Sequence, residues 1–351
     1  MDNRQQMLTT WVRQFSGFEN ADAHPVSGDA SFRRYFRVFK APSDNNTLPA
    51  KPFIVMDSPP EQEDCGPFVT IGRHWHQAGI AVPQIFEADP VRGFLLLEDF
   101  GDQLMLSQLS PSTANTLYQS ALDELVIIQQ LPATPEHPLP AYDTALLNRE
   151  MALFRDWLLE GYLGLELNNI EKSMLDTTFA LLLESALAQP SVTVHRDYHS
   201  RNLLVREHSS RPGVIDFQDA VAGPVTYDAV SLLKDCYIQW PDEQVGEWLE
   251  TFREQTLAAG LHRADSDTFR QWFELMGMQR HLKAAGIFAR LAMRDHKPRY
   301  LEDIPRTVSY LLGASKRQPA LRHFHEWLTA VAVPRIEELI GPVPGQEHVA
   351  P

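Results

Sequence analysis

The sequence has few cysteines and no excess of positive charge. The two cysteines among 351 residues, Cys65 and Cys236, do not have the spacing of a disulfide framework or a zinc motif. The formal net charge is −15, which excludes the broad basic face of a nucleic-acid-binding protein and disfavours electrostatic binding to anionic lipid. We therefore expect neither a nucleic acid nor a membrane as a partner.

The sequence also lacks long apolar runs and a targeting segment. Runs such as residues 93–97 are far too short to span a bilayer. The first residues, M-D-N-R-Q-Q, lack the charged and apolar regions of a signal peptide, which predicts a cytoplasmic protein. A composition of 44% hydrophobic and 22% charged residues is that of an ordinary globular protein, and the chain is long enough to bury a sizeable core.

The first hundred residues mix helical and strand patterns. Apolar residues at helical spacing from Met7 to Phe15 predict an amphipathic helix. Strands are expected within 27–39 and at 51–57, 82–87 and 94–98, and a short helix is expected over 68–78. The string L-L-L-E-D-F-G-D at 95–102 changes from apolar to acidic, and we place a connection between two lobes there.

After about residue 105 the periodicity becomes helical. Helices are expected over 113–130, 145–163, 172–188, 228–240, 243–259, 266–296, 300–314 and 320–340. Short β-like runs interrupt this pattern at 191–205 and 213–217. The whole pattern predicts an α+β, bilobal fold with a β-rich N-lobe (1–99) and a mainly helical C-lobe (100–351).

The strongest functional signal lies between residues 194 and 219. The string V-H-R-D-Y-H-S-R-N-L-L-V contains His195, Asp197 and Asn202, and V-I-D-F-Q-D places Asp216 after an apolar run. Phosphoryl transfer needs an oriented acceptor hydroxyl and neutralised phosphate charge. Asp197 suits the base that accepts the hydroxyl proton, and Asn202 and Asp216 offer the oxygen ligands that Mg²⁺ prefers. A polar turn without function explains single residues but not the whole ordered set.

These motifs resemble the catalytic loop and the metal-binding strand end of the aminoglycoside phosphotransferase-like branch of the kinase superfamily. The resemblance implies a protein-kinase-like fold and transfer of phosphate from ATP, with Mg²⁺ as cofactor. It also implies nucleotide-binding roles for Gly28, Ser31 and Arg33 in a phosphate-covering loop. The backbone of Glu98 and Phe100 would contact adenine.

One residue expected from this resemblance is missing. The strand at 53–58 should carry a lysine that pairs with the ATP phosphates, but Met56 and Asp57 occupy that position. Either an arginine of the 33–37 segment replaces it, or metal handles the phosphate charge; a nucleotide-binding pseudokinase is a third reading. Candidates for the carboxylate that pairs with such a cation are Glu61, Glu63 and Asp64. A solvated helix start explains the same acidic residues.

The residues after Asp216 suggest structural and acceptor-binding roles. Asp228 is expected to cap the following helix and to hold the catalytic loop. Acceptor contacts are expected from Gln218, Asp219, Tyr237 and Trp240. Aromatic faces suit sugar rings, although most aromatic residues in a chain of this size belong to the core.

Longer strings narrow the resemblance to one group. D-A-S-F-R-R-Y-F-R-V, V-M-D-S-P-P-E-Q-E-D and I-D-F-Q-D-A-V-A-G-P-V-T-Y-D are similar to segments of the anomeric N-acetylmuramate/N-acetylglucosamine kinases of cell-wall recycling. That group implies a small-molecule sugar acceptor and transfer to its C1 hydroxyl. The lactyl carboxylate of N-acetylmuramate would need a cation, for which the candidates are Arg280, Arg290 and Arg294. A kinase for a cationic acceptor, such as an aminoglycoside or choline, is the alternative.

Overall fold

The computed structural model describes residues 2–26, 32–42, 50–133 and 138–345. Its strands are β1 (His24–Val26), β2 (Arg34–Lys40), β3 (Lys51–Asp57), β4 (Ile85–Asp89), β5 (Phe94–Glu98), β6 (Ser191–Val194), β7 (Leu203–Leu204), β8 (Gly213–Val214) and β9 (Val221–Pro224). Its α-helices are α1 (Asn3–Val12), α2 (Gly66–Gln77), α3 (Met105–Gln108), α4 (Ala114–Gln130), α5 (Thr144–Leu153), α6 (Asn169–Leu187), α7 (Tyr227–Leu233), α8 (Asp242–Ala258), α9 (Ser266–Arg294), α10 (Ile304–Arg317), α11 (Arg322–Trp327) and α12 (Val333–Leu339). Two 3₁₀ segments cover Pro298–Asp303 and Pro319–Leu321, and π-helical segments cover Phe154–Tyr162 and Leu328–Ala332.

The chain divides into two compact units. The first unit comprises Met1–Gln108 and Asn202–Asp219, and the second comprises Leu109–Arg201 and Ala220–Pro351. The lobe boundary that we place near residue 99 stays a prediction. In the structure, residues 100–108 and 202–219 belong to the first unit. Within the described ranges, no helix combines the length and the apolar character needed to cross a membrane.

The first unit is built on an antiparallel sheet with the strand order β1-β2-β3-β5-β4. Alternate side chains of a strand face the same side of a sheet, so Phe36 and Val38 of β2 lie on one face with Phe53 of β3. Helix α1 covers this face with Leu8 and Trp11, which are almost completely buried. Burial of each such side chain contributes about 1.5–3 kcal/mol.

Residues 202–219 form a short hairpin that packs within the first unit. Strands β7 and β8 pair with Leu203 opposite Val214. The backbone N–H of Val205 donates to the carbonyl of Gln103 at 2.8 Å, and that of Val214 donates to the carbonyl of Ala81 at 2.7 Å. These bonds fix the position of the residues at both ends of the hairpin.

The second unit is mainly helical and packs around α9. Asp265 begins this helix by accepting the Thr268 N–H at 2.8 Å, as expected for an N-cap. Gly286 permits close contact with α5, because a Cβ at that position would lie 2.3 Å from the carbonyl carbon of Leu153. Strand β6 pairs with β9 and leads directly into the loop that carries Asp197.

The predicted helix at 228–240 is shorter in the structure. Helix α7 ends at Leu233, and the Asp235 carboxylate then accepts the backbone N–H groups of Ser200 and Tyr237, each at 3.0 Å. Because the Asp235 side chain makes these hydrogen bonds, the chain leaves the helix that the periodicity predicts. The predicted fold class, α+β with a β-rich N-terminal part and a helical C-terminal part, is confirmed.

Candidate active site

Asn202 and Asp216 lie at the two ends of the β7–β8 hairpin, which brings them together. The backbone N–H of Ile215 donates to the carbonyl of Asn202 at 3.1 Å. The Asn202 amide nitrogen lies 3.3 Å from Oδ2 of Asp216. Two residues separated by 14 positions in the sequence are therefore in direct contact.

The backbone of Asp216 is left-handed, with φ of 66°. This conformation costs an L-residue about 1–3 kcal/mol, so the surroundings must hold it. The Phe217 ring provides the anchor, with its centroid 4.7 Å from Phe68 and 5.7 Å from Trp75 of α2. Gly72 of α2 leaves room for this ring, since a Cβ there would come within 3.0 Å of it.

The Asp216 carboxylate has two further partners. Its Oδ1 lies 3.3 Å from Nη2 of Arg33 and accepts the Gln218 amide N–H at 3.0 Å. Arg33 also pairs through Nε with Oε1 of Glu63 at 3.0 Å. Burial would lower the pKa of Arg33, but its neighbours, Asp216 and Glu63 among them, raise it. The structure thus brings together the predicted site residues Arg33, Asn202, Asp216, Gln218 and Asp219.

The Asn202–Asp216 pair is suited to a magnesium ion. Mg²⁺ binds through oxygen, commonly to one or two carboxylates, with phosphate oxygens and water completing its shell. The Asp216 side chain is 34% exposed, and rotation of the neighbouring Asn202 amide turns its oxygen towards the same point. Within the described ranges, no three His, Cys, Asp or Glu side chains group to hold a metal. The pair therefore fits a metal that is shared with phosphate.

The segment after β5 is fastened to β2 by Arg37. Its guanidinium contacts Asp99 at 2.5 Å and Asp102 at 2.8 Å. Gly101 has φ of 85°, a conformation that favours glycine, and donates its N–H to Asp99 at 2.8 Å. Among the residues that the structure describes, the backbone N–H and carbonyl of Phe100 have no hydrogen-bond partner. This segment therefore offers one donor and one acceptor to a ligand.

A cavity of about 560 Å³ lies beside this segment. Its lining includes the predicted nucleotide-binding residues Glu98 and Phe100, and Arg206 lies 4.5 Å above the Phe100 ring. The volume lies within the range of about 300–1,000 Å³ that is usual for small-molecule sites. The other two predicted nucleotide contacts, Gly28 and Ser31, lie outside the described residues.

Gly213 determines where the Phe100 ring lies. A Cβ at position 213 would lie 2.4 Å from a Phe100 ring carbon, so the ring would have to move. We expect Gly213→Ala to lower the free energy of unfolding by about 1–3 kcal/mol and to raise the KM for ATP about tenfold. Urea denaturation and steady-state kinetics measure the two effects. The control is Gly246→Ala in α8, where the nearest atom is 3.9 Å away. An unchanged KM in Gly213→Ala would contradict a contribution of Phe100 to nucleotide binding.

Asp197 follows β6 in the second unit, on a loop held by Asp228. The Asp228 carboxylate accepts the backbone N–H of His195 at 2.6 Å and that of Arg196 at 3.0 Å. Asp228 therefore lies in the first turn of α7 and holds the catalytic loop, whereas its side chain does not cap the helix. Arg196 has a left-handed φ of 77°, and its side chain pairs with Glu150 at 2.6 Å. The loop thus turns sharply just before Asp197.

Basic side chains act on the half-buried Asp197. Burial would raise the pKa of this carboxyl group, but Lys283, His199 and Arg196 outweigh it and lower the pKa to about 2. Lys283 is held on α9 by Glu150 at 3.2 Å. A general base must be unprotonated before it reacts, and this environment keeps Asp197 ionised at neutral pH. Neither Lys283 nor Glu150 carries a signal in the sequence, because each lies far from Asp197 along the chain.

Arg201 stacks on the predicted acceptor residue Tyr237. The guanidinium carbon lies 3.6 Å from the centre of the tyrosine ring. Asp235 holds Tyr237 and Ser200, the residue before Arg201, by accepting the backbone N–H of each. A stacked guanidinium keeps its planar edge available for a carboxylate. Arg201 was not among the predicted site residues, although it lies inside the string H-R-D-Y-H-S-R-N.

Trp240 and Arg280 have partners within the protein. The Trp240 indole N–H donates to the Tyr118 hydroxyl at 2.9 Å, and contact of its ring face with a sugar stays a prediction. Arg280 is buried and donates to Ser231 at 2.5 Å and to the Cys236 sulfur at 3.3 Å. These bonds remove Arg280 from the candidates for a carboxylate-binding arginine.

The sequence is similar to one enzyme family and to curated sugar kinases. Residues 22–272 match the phosphotransferase enzyme family. The chain is 43% identical over 336 residues to the N-acetylmuramate/N-acetylglucosamine kinase of Pseudomonas putida, covering 93% of this chain and 96% of that protein. Its identity to the kinase of the same name from Pseudomonas aeruginosa is 45%, with 89% of each chain covered. The corresponding Neisseria meningitidis kinase is 39% identical, with 91% of this chain and 93% of that protein covered.

Solved kinase structures share the fold at low sequence identity. Ethanolamine kinase from Plasmodium vivax aligns with a TM-score of 0.64 and 11% identity, covering 91% of this chain and 89% of that chain. ADP-bound aminoglycoside phosphotransferase APH(2'')-Ib aligns with a TM-score of 0.58 and 12% identity, covering 88% and 98%. These alignments show a common protein-kinase-like fold. They do not bear on the acceptor, because identity this low is informative only about the fold.

Proposed function

Since this chain belongs to the phosphotransferase enzyme family, we propose that it transfers the γ-phosphoryl group of MgATP to the C1 hydroxyl of N-acetylmuramate or N-acetylglucosamine. The chain is a phosphotransferase with an alcohol acceptor, and it uses ATP. The observation that carries the choice of acceptor is the set of relatives with 39–45% identity over about nine-tenths of this chain, which are named as kinases of these two sugars. We propose a cytoplasmic location, because ATP is the proposed phosphoryl donor.

Asp197 is the proposed base. It accepts the proton of the C1 hydroxyl while the sugar oxygen bonds to the γ-phosphorus and the bond between this phosphorus and the β–γ bridging oxygen breaks. The products are a sugar 1-phosphate and ADP. An anomeric hydroxyl is more acidic than an ordinary alcohol, so a carboxylate that stays ionised is an adequate base and also orients the oxygen.

Asn202 and Asp216 are the proposed metal ligands. Mg²⁺, when bound, would neutralise negative charge on the transferred phosphoryl group and on the departing ADP. Gln218 donates to Asp216 at 3.0 Å and thereby orients the carboxylate. In this proposal Gln218 acts through the metal ligand, while Asp219, Tyr237 and Trp240 remain the proposed acceptor contacts.

The adenine ring of ATP is proposed to lie against Glu98 and Phe100. The unused N–H and carbonyl of Phe100 match the adjacent acceptor and donor at the edge of adenine. The cavity beside them is large enough for a purine. Arg33 completes the proposed nucleotide contacts, and its role is argued separately below.

Arg201 is the proposed contact of the lactyl carboxylate, which N-acetylmuramate carries and N-acetylglucosamine lacks. Loss of a charged hydrogen bond costs about 1.5–3 kcal/mol, so we expect Arg201→Gln to raise the KM for N-acetylmuramate about 10- to 100-fold. The KM for N-acetylglucosamine should change less than about threefold. Arg290→Gln on α9 is the matched control. A selective loss of N-acetylmuramate in Arg290→Gln would move the carboxylate site to α9 and contradict the role of Arg201.

The acceptor is tested directly by a coupled ADP-release assay with Mg²⁺. N-acetylmuramate, N-acetylglucosamine, kanamycin, choline and ethanolamine are compared, and ³¹P NMR identifies the product. Turnover of the N-acetyl sugars with an acid-labile anomeric phosphate is expected. Turnover of the cationic compounds alone would contradict the acceptor and leave the phosphotransferase family in place.

A further inference from the structure

Strand β3 carries no available cation near its end. Met56 and Asp57 are completely buried there. Asp57 is bonded by Arg4 at 2.5 Å and by Arg34 at 2.6 Å, so the charges of these arginines compensate a buried carboxylate. Lys51 begins the strand, is exposed, and is separated from this end by the full length of β3. A positive charge near the end of β3 for the ATP phosphates is therefore not supplied by this strand itself.

Arg33 lies immediately before β2 and is the buried cation beside Asp216. Its side chain is 6% exposed. One edge of the guanidinium, at Nε, lies 3.0 Å from Glu63, and Nη2 lies 3.3 Å from Asp216. The guanidinium is thus held by a carboxylate outside the metal-binding pair and reaches the proposed metal ligand.

Glu63 is held in place by the backbone of a tight turn. Its N–H donates to the carbonyl of Pro59 at 3.0 Å, and its carbonyl accepts the Ser58 hydroxyl at 3.1 Å. This turn lies between β3 and α2, and α2 begins only at Gly66. Glu63 therefore precedes the helix and presents its carboxylate to Arg33 from a fixed backbone.

Three carboxylates lie near the Arg33 guanidinium. Glu63 and Asp216 contact it at 3.0 and 3.3 Å, and the charge of Asp219 also acts on it. A divalent ion bound by Asp216 would take up the charge of that carboxylate and release the Nη2 edge. A guanidinium can then remain on Glu63 with one edge and contact phosphate oxygens with the other, which an ammonium group cannot do in the same geometry.

We propose that Arg33 supplies the positive charge that binds the ATP phosphates, and that Glu63 is the residue that positions it. This proposal rests on the nucleotide site proposed above. It assigns to an arginine before β2 the contact that a lysine within β3 makes in protein kinases. It also gives a function to Glu63, which the sequence could not separate from Glu61 and Asp64.

The test is equilibrium binding of adenosine, AMP, ADP and a non-hydrolysable ATP analogue in the presence of Mg²⁺, by titration calorimetry. In Arg33→Met the Kd for adenosine should stay within about twofold, and the Kd for the ATP analogue should rise about 10- to 100-fold. The loss should grow with the number of phosphates. A merely structural arginine would not produce this dependence on ligand charge.

Companion variants separate the charge from its positioning. Arg33→Lys keeps the positive charge but lacks the planar guanidinium. Its Kd for the ATP analogue should lie between those of the unaltered protein and Arg33→Met. Glu63→Gln should weaken the ATP analogue less than Arg33→Met does, and the double variant should bind no more weakly than Arg33→Met alone, because Glu63 acts through Arg33. Arg92→Met is the control, since Arg92 forms an ion pair with Asp89 at 2.6 Å in the same unit.

Two results would overturn the proposal: unchanged binding of the ATP analogue in Arg33→Met, or equal weakening of adenosine and the analogue. If Arg33→Met does not fold, the comparison between ligands is made with Arg33→Lys and Glu63→Gln, whose failure to discriminate would have the same meaning. The proposed function fails in a different way. In that case the unaltered protein binds ATP without phosphorylating either N-acetyl sugar.

Discussion

Asp197→Asn is expected to lower kcat about 100- to 10,000-fold and to leave the Kd for ATP within about twofold. The substitution keeps the shape of the side chain and removes its ability to accept the hydroxyl proton. The coupled assay measures kcat, and titration with ATP measures binding. Asp176→Asn is the control, since Asp176 is an exposed carboxylate of the same unit, 3.7 Å from Arg155.

The pH dependence provides a second test of the base. The cations around Asp197 hold its pKa at about 2, so the reactive, ionised form is present above that pH and is lost only below it. Protonation of Asp197 should therefore not reduce kcat/KM between about pH 5 and pH 8. Lys283→Met removes one of these cations, so the pKa of Asp197 should rise and the acid limb should move upwards towards about pH 4, near the unperturbed carboxyl value. Near-normal turnover by Asp197→Asn would contradict the assignment whatever the pH profile.

The proposed metal-binding pair could be predicted because its residues are close in the sequence. The β7–β8 hairpin places Asn202 beside Asp216 through the pairing of Leu203 with Val214, and short apolar runs in the sequence indicate these strands. Helix α9, observed over Ser266–Arg294, matches the prediction of 266–296, since a long regular periodicity is the most reliable signal in a sequence.

Other features depend on contacts that the sequence does not show. The predicted helix over 145–163 changes to a π-helical segment at Phe154, where Gly286 of α9 packs against Leu153. Periodicity does not distinguish the two helix types, because both keep an apolar face towards the core. The pairing of Glu63 with Arg33 depends in the same way on the turn between β3 and α2.

The residues around the proposed acceptor site were harder still to predict from the sequence. Arg201 contacts Tyr237, and Lys283 acts on Asp197, across long stretches of sequence. A single sequence identifies a candidate base from its motif but does not identify the charges that tune it. The sequence offered Arg280, Arg290 and Arg294 for a carboxylate, whereas the structure uses Arg280 to bond Ser231. Arg201, which we propose instead, could not be singled out from the sequence.

Asp228→Ala is expected to lower both stability and activity. The buried Asp228 carboxylate accepts two backbone N–H groups, those of His195 and Arg196, at 2.6 and 3.0 Å. Each buried donor that loses its acceptor costs about 1–3 kcal/mol, so the free energy of unfolding should fall by about 2–6 kcal/mol. Urea denaturation measures this loss. We also expect kcat to fall at least about tenfold in the folded variant, because Arg196 holds a left-handed φ of 77° that is strained without these bonds.

Two variants distinguish this anchor from an ordinary capping bond. Asp143→Ala removes one exposed hydrogen bond, from the Leu146 N–H at the start of α5, and should cost about 1 kcal/mol with kcat unchanged. Asp228→Asn keeps one acceptor and turns its amide N–H groups towards the other donor, so its stability should lie between those of Asp228→Ala and the unaltered protein. A stability loss in Asp228→Ala no larger than in Asp143→Ala, together with normal kcat, would show that the position of Asp197 does not depend on Asp228. The opposite result ties the catalytic loop, through two hydrogen bonds, to the first turn of α7.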